Sequence, residues 1–180
     1  MTDNIFDKSG FSVQGHIHIF DPSTGETIIN KRNAIHYENM SIALAESLSN
    51  AGQGFVYQMA FGNGGTQTFI KVVDDQSANN TDPNRNKIET RHVTGTNYTD
   101  ILVSTILDYG EPSGQDANDT AQNTASNFVF DELGLVSYSP AGTGKLLTHV
   151  IFHPVQKSLN RLIQIDYTLR VQSLTGFNEG

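Results

Sequence analysis

The chain has 180 residues and a formal charge of −8, from 19 Asp and Glu against 11 Lys and Arg; such a balance repels a phosphate backbone at long range and argues against nucleic-acid binding. The absence of cysteine excludes disulfide staples, thiolate metal sites and a cysteine nucleophile. Hydrophobic residues make up 37% and charged ones 17%, so polarity comes chiefly from Asn, Thr, Ser, Gln and Gly, which suits loop-rich β architecture in one domain spanning residues 1–180.

Residues 1–10 carry Asp3, Asp7 and Lys8 without an apolar run, which fits neither a signal peptide nor a membrane anchor and reads as an extended N-terminal arm. Nowhere does an apolar stretch approach the roughly 20 residues of a membrane-spanning helix, so no membrane partner is expected. Val13, Gly15, Ile17 and Ile19 alternate with Gln14, His16, His18 and Phe20, the period of a strand. Asp21-Pro22-Ser23-Thr24-Gly25-Glu26 supplies a turn, and residues 27–29 return as the second arm of a hairpin.

From Tyr37 the period changes. Tyr37, Met40, Leu44 and Leu48 recur at three and four, which predicts a helix over 37–49 with that set as its apolar face. Asn50, Gly52 and Gly54 stop it, and Phe55, Tyr57, Met59 and Phe61 then alternate as a strand with one large-residue face inward. Gly62, Asn63, Gly64 and Gly65 form a loop, followed by a short strand over 68–73. The polar stretch 74–86 has too little apolar surface to order itself and reads as an exposed loop.

Strand character returns over 97–107, and a second polar insertion over 111–127 is a candidate contact arm. Residues 128–138 are apolar but broken by Asp131, Glu132 and Gly134; after a turn over 140–144, Leu146, Thr148, Val150 and Phe152 alternate again. The last strand has Ile163, Ile165, Tyr167, Leu169 and Val171 on one face and Gln164, Asp166, Thr168, Arg170 and Gln172 on the other. Seven or eight strands and one helix predict an all-β chain, an antiparallel β-sandwich or jelly-roll-like domain with long polar loops.

Chemical motifs are sparse. His16 and His18 share a strand face, but a tetrahedral site needs a third ligand that no spacing supplies, and a solvated face is the plainer reading. His149 and His153 form a weaker pair, with Pro154 expected to end their strand. Gly142-Thr143-Gly144-Lys145 is followed by Leu146 where a phosphate loop needs Ser or Thr, and the Gly62 loop lacks the lysine. Asp74, Asp75 and Asp82 lack the alternating ligands of a calcium loop, and no Gly-x-Ser-x-Gly elbow is present. Asp131, Glu132 and Asp166 could be drawn into a carboxylate pair, but nothing in the spacing makes them converge. No catalytic residue, cofactor, metal or small-molecule substrate is expected.

Four segments in order carry a resemblance: Asn33-Ala34-Ile35-His36-Tyr37-Glu38-Asn39-Met40, Phe61-Gly62-Asn63-Gly64-Gly65-Thr66, Phe130-Asp131-Glu132-Leu133-Gly134-Leu135 and Phe152-His153-Pro154-Val155-Gln156-Lys157-Ser158. Together with the Tyr167-Thr168-Leu169 strand they resemble virion structural proteins of tailed bacteriophages: neck, collar and tail components and capsid decorations. The resemblance implies a non-enzymatic β-sandwich subunit of the virion, made in a bacterial cytoplasm, whose partners are copies of itself and neighbouring virion proteins.

In structural roles, Gly62, Gly64 and Gly65 are expected to turn the chain, Gly134 to allow a bulge between Leu133 and Leu135, and Pro154 to sit at an edge or strand end. Lys157 and Arg161 are expected to meet Asp131 or Glu132, within the chain or across an interface. Two other readings compete. Tyr57, Tyr98, Tyr109 and Tyr138 could stack on sugars in a carbohydrate- or receptor-binding module, with calcium in the acidic loops, and a hydrolase with scattered catalytic residues is a third possibility.

Overall fold

The computed structural model describes residues 10–73, 87–112, 128–142 and 144–174. Its elements are β1 (Gly10–Phe20), β2 (Thr27–Ile35), α1 (Tyr37–Leu48), β3 (Val56–Asn63), β4 (Thr66–Val73), β5 (Lys87–Thr94), β6 (Tyr98–Leu107), β7 (Phe128–Ser137), β8 (Leu146–Lys157) and β9 (Ile163–Leu174). The all-β class and the one helix agree with the alternation in the sequence. Expectations for residues 1–9, 74–86 and 113–127, Asp74, Asp75 and Asp82 among them, lie outside the described residues.

Alternation becomes burial most plainly in β9, where Ile163, Ile165, Tyr167 and Leu169 are buried and the residues between them are half-exposed. These meet Ile17 and Ile19 of β1 and Val103 of β6 on one side of a single core, with Met59, Phe61, Phe130 and Leu135 on the other. Two inward faces over a shared interior are what a sandwich requires. Here both edges are also stitched, so the strands run β1-β2-β8-β7-β3-β4-β5-β6-β9 and back to β1 as a closed barrel. Closure, not the jelly-roll order, is how this sheet removes its edges.

The stitching is thin at two seams. β2 pairs with β8 only at Ala34 and Ile35, opposite His149 and Thr148. β4 pairs with β5 only at Val72 and Val73, opposite Lys87 and Ile88, and that pair is parallel while every other pair is antiparallel. The parallel seam follows from parity. In a closed ring of nine strands, directions cannot alternate all the way round, so at least one neighbouring pair must run the same way. A parallel pair needs a connection of about a dozen residues or more, and β4 ends at Val73 while β5 begins at Lys87. The stretch 74–86 between them meets that minimum.

Three strands depart from the sequence reading. β5 was not anticipated, because Lys87-Ile88-Glu89-Thr90-Arg91-His92-Val93-Thr94 has no apolar alternation. β2 continues through Asn30, Lys31, Arg32 and Asn33 to Ile35, since a strand at a seam can leave much of its surface in water. β3 also differs: Met59 and Phe61 are fully buried, but the register shifts between Val56 and Gln58, so the large-residue face does not continue back to Phe55. Phe55 instead stacks on Tyr138 with ring centroids 5.0 Å apart, and Tyr57 meets Tyr138 edge-on.

α1 buries Met40 and Ala43, while Tyr37 is 73% and Leu48 87% exposed. The periodicity was right and the buried face is rotated from it. Gly54 passes directly against the Ala43 carbonyl, so the chain after the helix packs close to it, and Met40 and Ala43 face the barrel while Tyr37 and Leu48 stay outside. Its C-terminus is a Schellman arrangement: Asn50 has φ 54°, its N–H donates to the Ser47 carbonyl, and Ala51 N–H donates to that of Glu46. Asn39 Nδ2 ties the helix to β8 through the Leu146 carbonyl at 2.8 Å.

Beside the β2–β8 seam lies a buried polar group. Tyr167 of β9 is fully buried; its hydroxyl accepts from Asn33 Nδ2 of β2 and is hydrogen-bonded to Thr148 of β8, whose Oγ1 accepts from Leu135 N–H at 3.1 Å. Burial pushes the phenol well above its ordinary pKa, against smaller opposing effects of the Thr148 and Asn33 hydrogen bonds. On the outer face, Arg170 Nε and Nη2 donate to Asp100 Oδ1 and Oδ2 at 2.7 and 2.8 Å, and the guanidinium lies 4.0 Å from the Tyr98 ring centroid. The hydrogen bonds from Arg170 hold the Asp100 carboxyl below its ordinary pKa.

Tyr167→Phe is expected to cost about 1–3 kcal/mol by stranding its buried partners, read as a lower urea midpoint. Because the folded state keeps the Tyr167 proton where the unfolded state has lost it, wild-type stability is full below about pH 10 and falls as pH rises above that; the substitution should flatten this alkaline slope. Asp100 behaves oppositely: its contribution is present above about pH 4 and lost as pH falls through the depressed folded value. Arg170 is partly exposed, so Asp100→Asn should cost no more than about 1 kcal/mol at neutral pH, with the difference from wild type vanishing in acid melts.

Candidate functional site

The β3–β4 hairpin turns at Gly64 and Gly65, with φ of 61° and 83°. Positive φ at both central positions is what a two-residue hairpin following the strand twist demands, and glycine meets it without a Cβ penalty. Side chains from β7 then clamp the turn. Asp131 Oδ1 accepts from Gly64 N–H at 3.1 Å, Glu132 Oε1 accepts from Gly65 N–H at 2.7 Å, and Asn63 Nδ2 donates to the Val129 carbonyl at 3.1 Å. Gly62 makes room for this: a Cβ there would lie 2.5 Å from Glu132 Oε1.

Glu132 has a second partner. Its Oε2 lies 2.9 Å from His149 Nε2, with the two side chains 14% and 35% exposed. The His36 ring, at the head of α1, stands roughly parallel to that of His149 at 6.5 Å. Between these groups runs an open groove of about 160 Å³, whose lining includes Ala60, Gly62, Gly134, Leu146, Gln67 and the Glu132–His149 pair. Gly134 is needed for close approach, since a Cβ there would come within 2.6 Å of the Thr148 carbonyl.

Seven of the residues singled out in the sequence, Gly62, Asn63, Gly64, Gly65, Asp131, Glu132 and Gly134, therefore meet at one corner of the barrel. The bulge is not where it was expected. Leu133, Gly134 and Leu135 pair in step with Val150, His149 and Thr148, and the register breaks on either side of them, between Phe130 and Glu132 and between Leu135 and Val136. Opposite the first break, Phe152, His153 and Pro154 lie between the paired residues Ile151 and Val155 of β8. β8 thus runs through Pro154 to Lys157, because the missing proline donor falls where the ladder is already interrupted.

Lys157 and Arg161 go elsewhere. Lys157 is fully buried, and its Nζ donates to the Ser158 carbonyl at 2.8 Å and reaches that of Tyr109 at 3.5 Å. Arg161 Nη1 donates to the Gln156 carbonyl at 3.4 Å. The partners expected for them, Asp131 and Glu132, are instead held by turn amides and His149, at the far side of the Pro154 bulge. His16 is exposed, and His18 is half-exposed, bonded to Thr27 Oγ1 at 3.0 Å and stacked on Phe20. Among the described residues no group of three His, Asp or Glu could hold a metal ion.

The sequence reading missed His149 as the partner of Glu132 and His36 as the ring beside His149. A signal existed: folding residues 128–138 onto 146–152 through the 140–144 turn sets Gly134 opposite His149. Chemically, the Glu132 carboxylate spends one oxygen on a backbone amide and the other on an imidazole, so it orients the turn and His149 together. The described groove residues offer no hydroxyl or thiol beside that imidazole.

Glu132→Ala should loosen both contacts and cost about 1–3 kcal/mol, or roughly 2–4 °C per kcal/mol in a chain of this size. Gly65→Ala should cost about 1–2 kcal/mol through its left-handed backbone alone, and thermal melts of the two single variants and their double variant would test whether turn and clamp act as one unit. Comparison with protein-family models, with curated proteins and with solved structures returned no match.

Proposed function

We propose that this chain is a non-enzymatic structural subunit of a tailed-bacteriophage virion, made in the bacterial cytoplasm and joined to copies of itself and to neighbouring virion proteins in a ring or cluster at the neck, collar or tail. The observation that carries the reading is the clamped corner. Two of the four resembling segments, Phe61 to Thr66 and Phe130 to Leu135, meet there by hydrogen bonds that the Gly64 and Gly65 amides donate to the Asp131 and Glu132 carboxylates. Asn63, Gly64 and Gly65 are exposed, so the corner offers a neighbour a surface already ordered, which lowers the entropy lost on association.

Two further properties support assembly. Closing the sheet covers most strand edges and directs association to particular faces instead of indiscriminate edge pairing. The net charge of −8 keeps the free subunit soluble before it is incorporated. The sugar-binding alternative has less to draw on, since Tyr57 and Tyr138 pack on one another and Tyr98 lies under Arg170. Capsid-surface decoration would use the same properties at a different location.

Mass spectrometry of purified particles should detect the chain in mature virions, and light scattering of the purified protein should return a defined oligomer. Absence from mature particles would end the reading, and a location on the capsid shell would replace the neck or tail with decoration.

A further inference from the structure

The β2–β8 seam opens below its two paired residues. Beyond Ala34 and Ile35, the described residues of β2 and β8 form no further ladder, and a groove of about 420 Å³ lies between Ile28, Ile29, Asn30 and Lys31 on one wall and Ile151, Phe152 and His153 on the other. Lys31 Nζ reaches across and donates to the Ile151 carbonyl at 2.7 Å. A lysine head is thus meeting an acceptor that a paired strand would have met. Ile151 beside it is 62% exposed.

An unpaired strand edge is a template for another extended chain. The two walls are not equivalent. β8 carries Pro154, which has no N–H to offer, and is already distorted at the bulge against β7. β2 is in register with β1 on its other side and carries no proline. β2 is therefore the edge that can accept a strand.

We infer that this slot receives residues 1–9 of a second copy of the chain as an added strand on β2; the inference rests on the assembly reading above. The segment reads Met1-Thr2-Asp3-Asn4-Ile5-Phe6-Asp7-Lys8-Ser9. On one face of such a strand Ile5 can lie beside Ile29, and Asp3 or Asp7, two residues away, beside the Lys31 ammonium, which itself stands two residues from Ile29. The donor must be another copy. Ile29 is paired with Ile19, which lies nine residues along β1 from Gly10, a span of about 30 Å at strand rise. Ile5 is five residues from Gly10 and reaches at most about 18 Å.

The test uses the full chain, which has no cysteine of its own. Asn4→Cys, Phe6→Cys and Lys8→Cys copies, which sample the face of an added strand that Asn30 shares when Ile5 lies beside Ile29, are each mixed with Asn30→Cys copies and oxidised. At least one mixture should give a disulfide-linked heterodimer on non-reducing gels, and in wild-type protein whichever of the Asn30 and Lys31 amides faces away from β1 should gain hydrogen-exchange protection at assembling concentrations. A protein that assembles with no cross-link in any mixture and no such protection overturns the strand exchange and leaves the assembly reading standing. A wild-type chain that light scattering finds monomeric at all concentrations removes both.

Discussion

The barrel depends on what happens at the β2–β8 seam, where main-chain pairing is confined to Ala34 and Ile35. Asn33, Tyr167 and Thr148 reinforce it with side-chain hydrogen bonds that join β2, β9 and β8 inside a dry interior. In such surroundings a satisfied hydroxyl holds strongly, and an unsatisfied one is costly. Gly15 belongs to the same device. It is the cross-strand partner of Asn33, and a side chain there would collide with the Asn33 amide.

The second thin seam has a different origin. Nine strands in a ring force one parallel neighbour pair, and the chain meets that requirement with the β4–β5 contact and the connection over 74–86. A stretch that in sequence looks like a surface insertion is therefore tied to the topology. The two halves of the barrel face one another as in a sandwich, and the seams decide that their edges are closed.

The glycine corner and the groove beside it show how little residue chemistry is needed to build a defined surface. Gly62, Gly64, Gly65 and Gly134 each answer a separate geometric demand: room for Glu132, two positive φ angles, and close approach to Thr148. Asp131 and Glu132 then convert the open amides of the turn into satisfied ones. The same strand pair carries the Pro154 bulge, and Phe152 and His153 beside it line the slot on the β2 side.

What the sequence alone determined is whatever depends on local period and local backbone freedom. Alternation in β1, β6, β8 and β9, the helix from Tyr37, and the turn at Gly64 and Gly65 were legible because each is written within about ten residues of chain. The site was half legible: glycines and carboxylates stood out by type, but their meeting across β3 and β7, and the recruitment of His149, required a register that no single segment contains. Only the tertiary structure could decide the buried face of α1, the existence of the polar strand β5, the partners of Lys157 and Arg161, and the closure of the sheet. Those depend on which surfaces meet through space, where a small residue such as Ala43 wins the close contact and a larger one such as Leu48 is left in water.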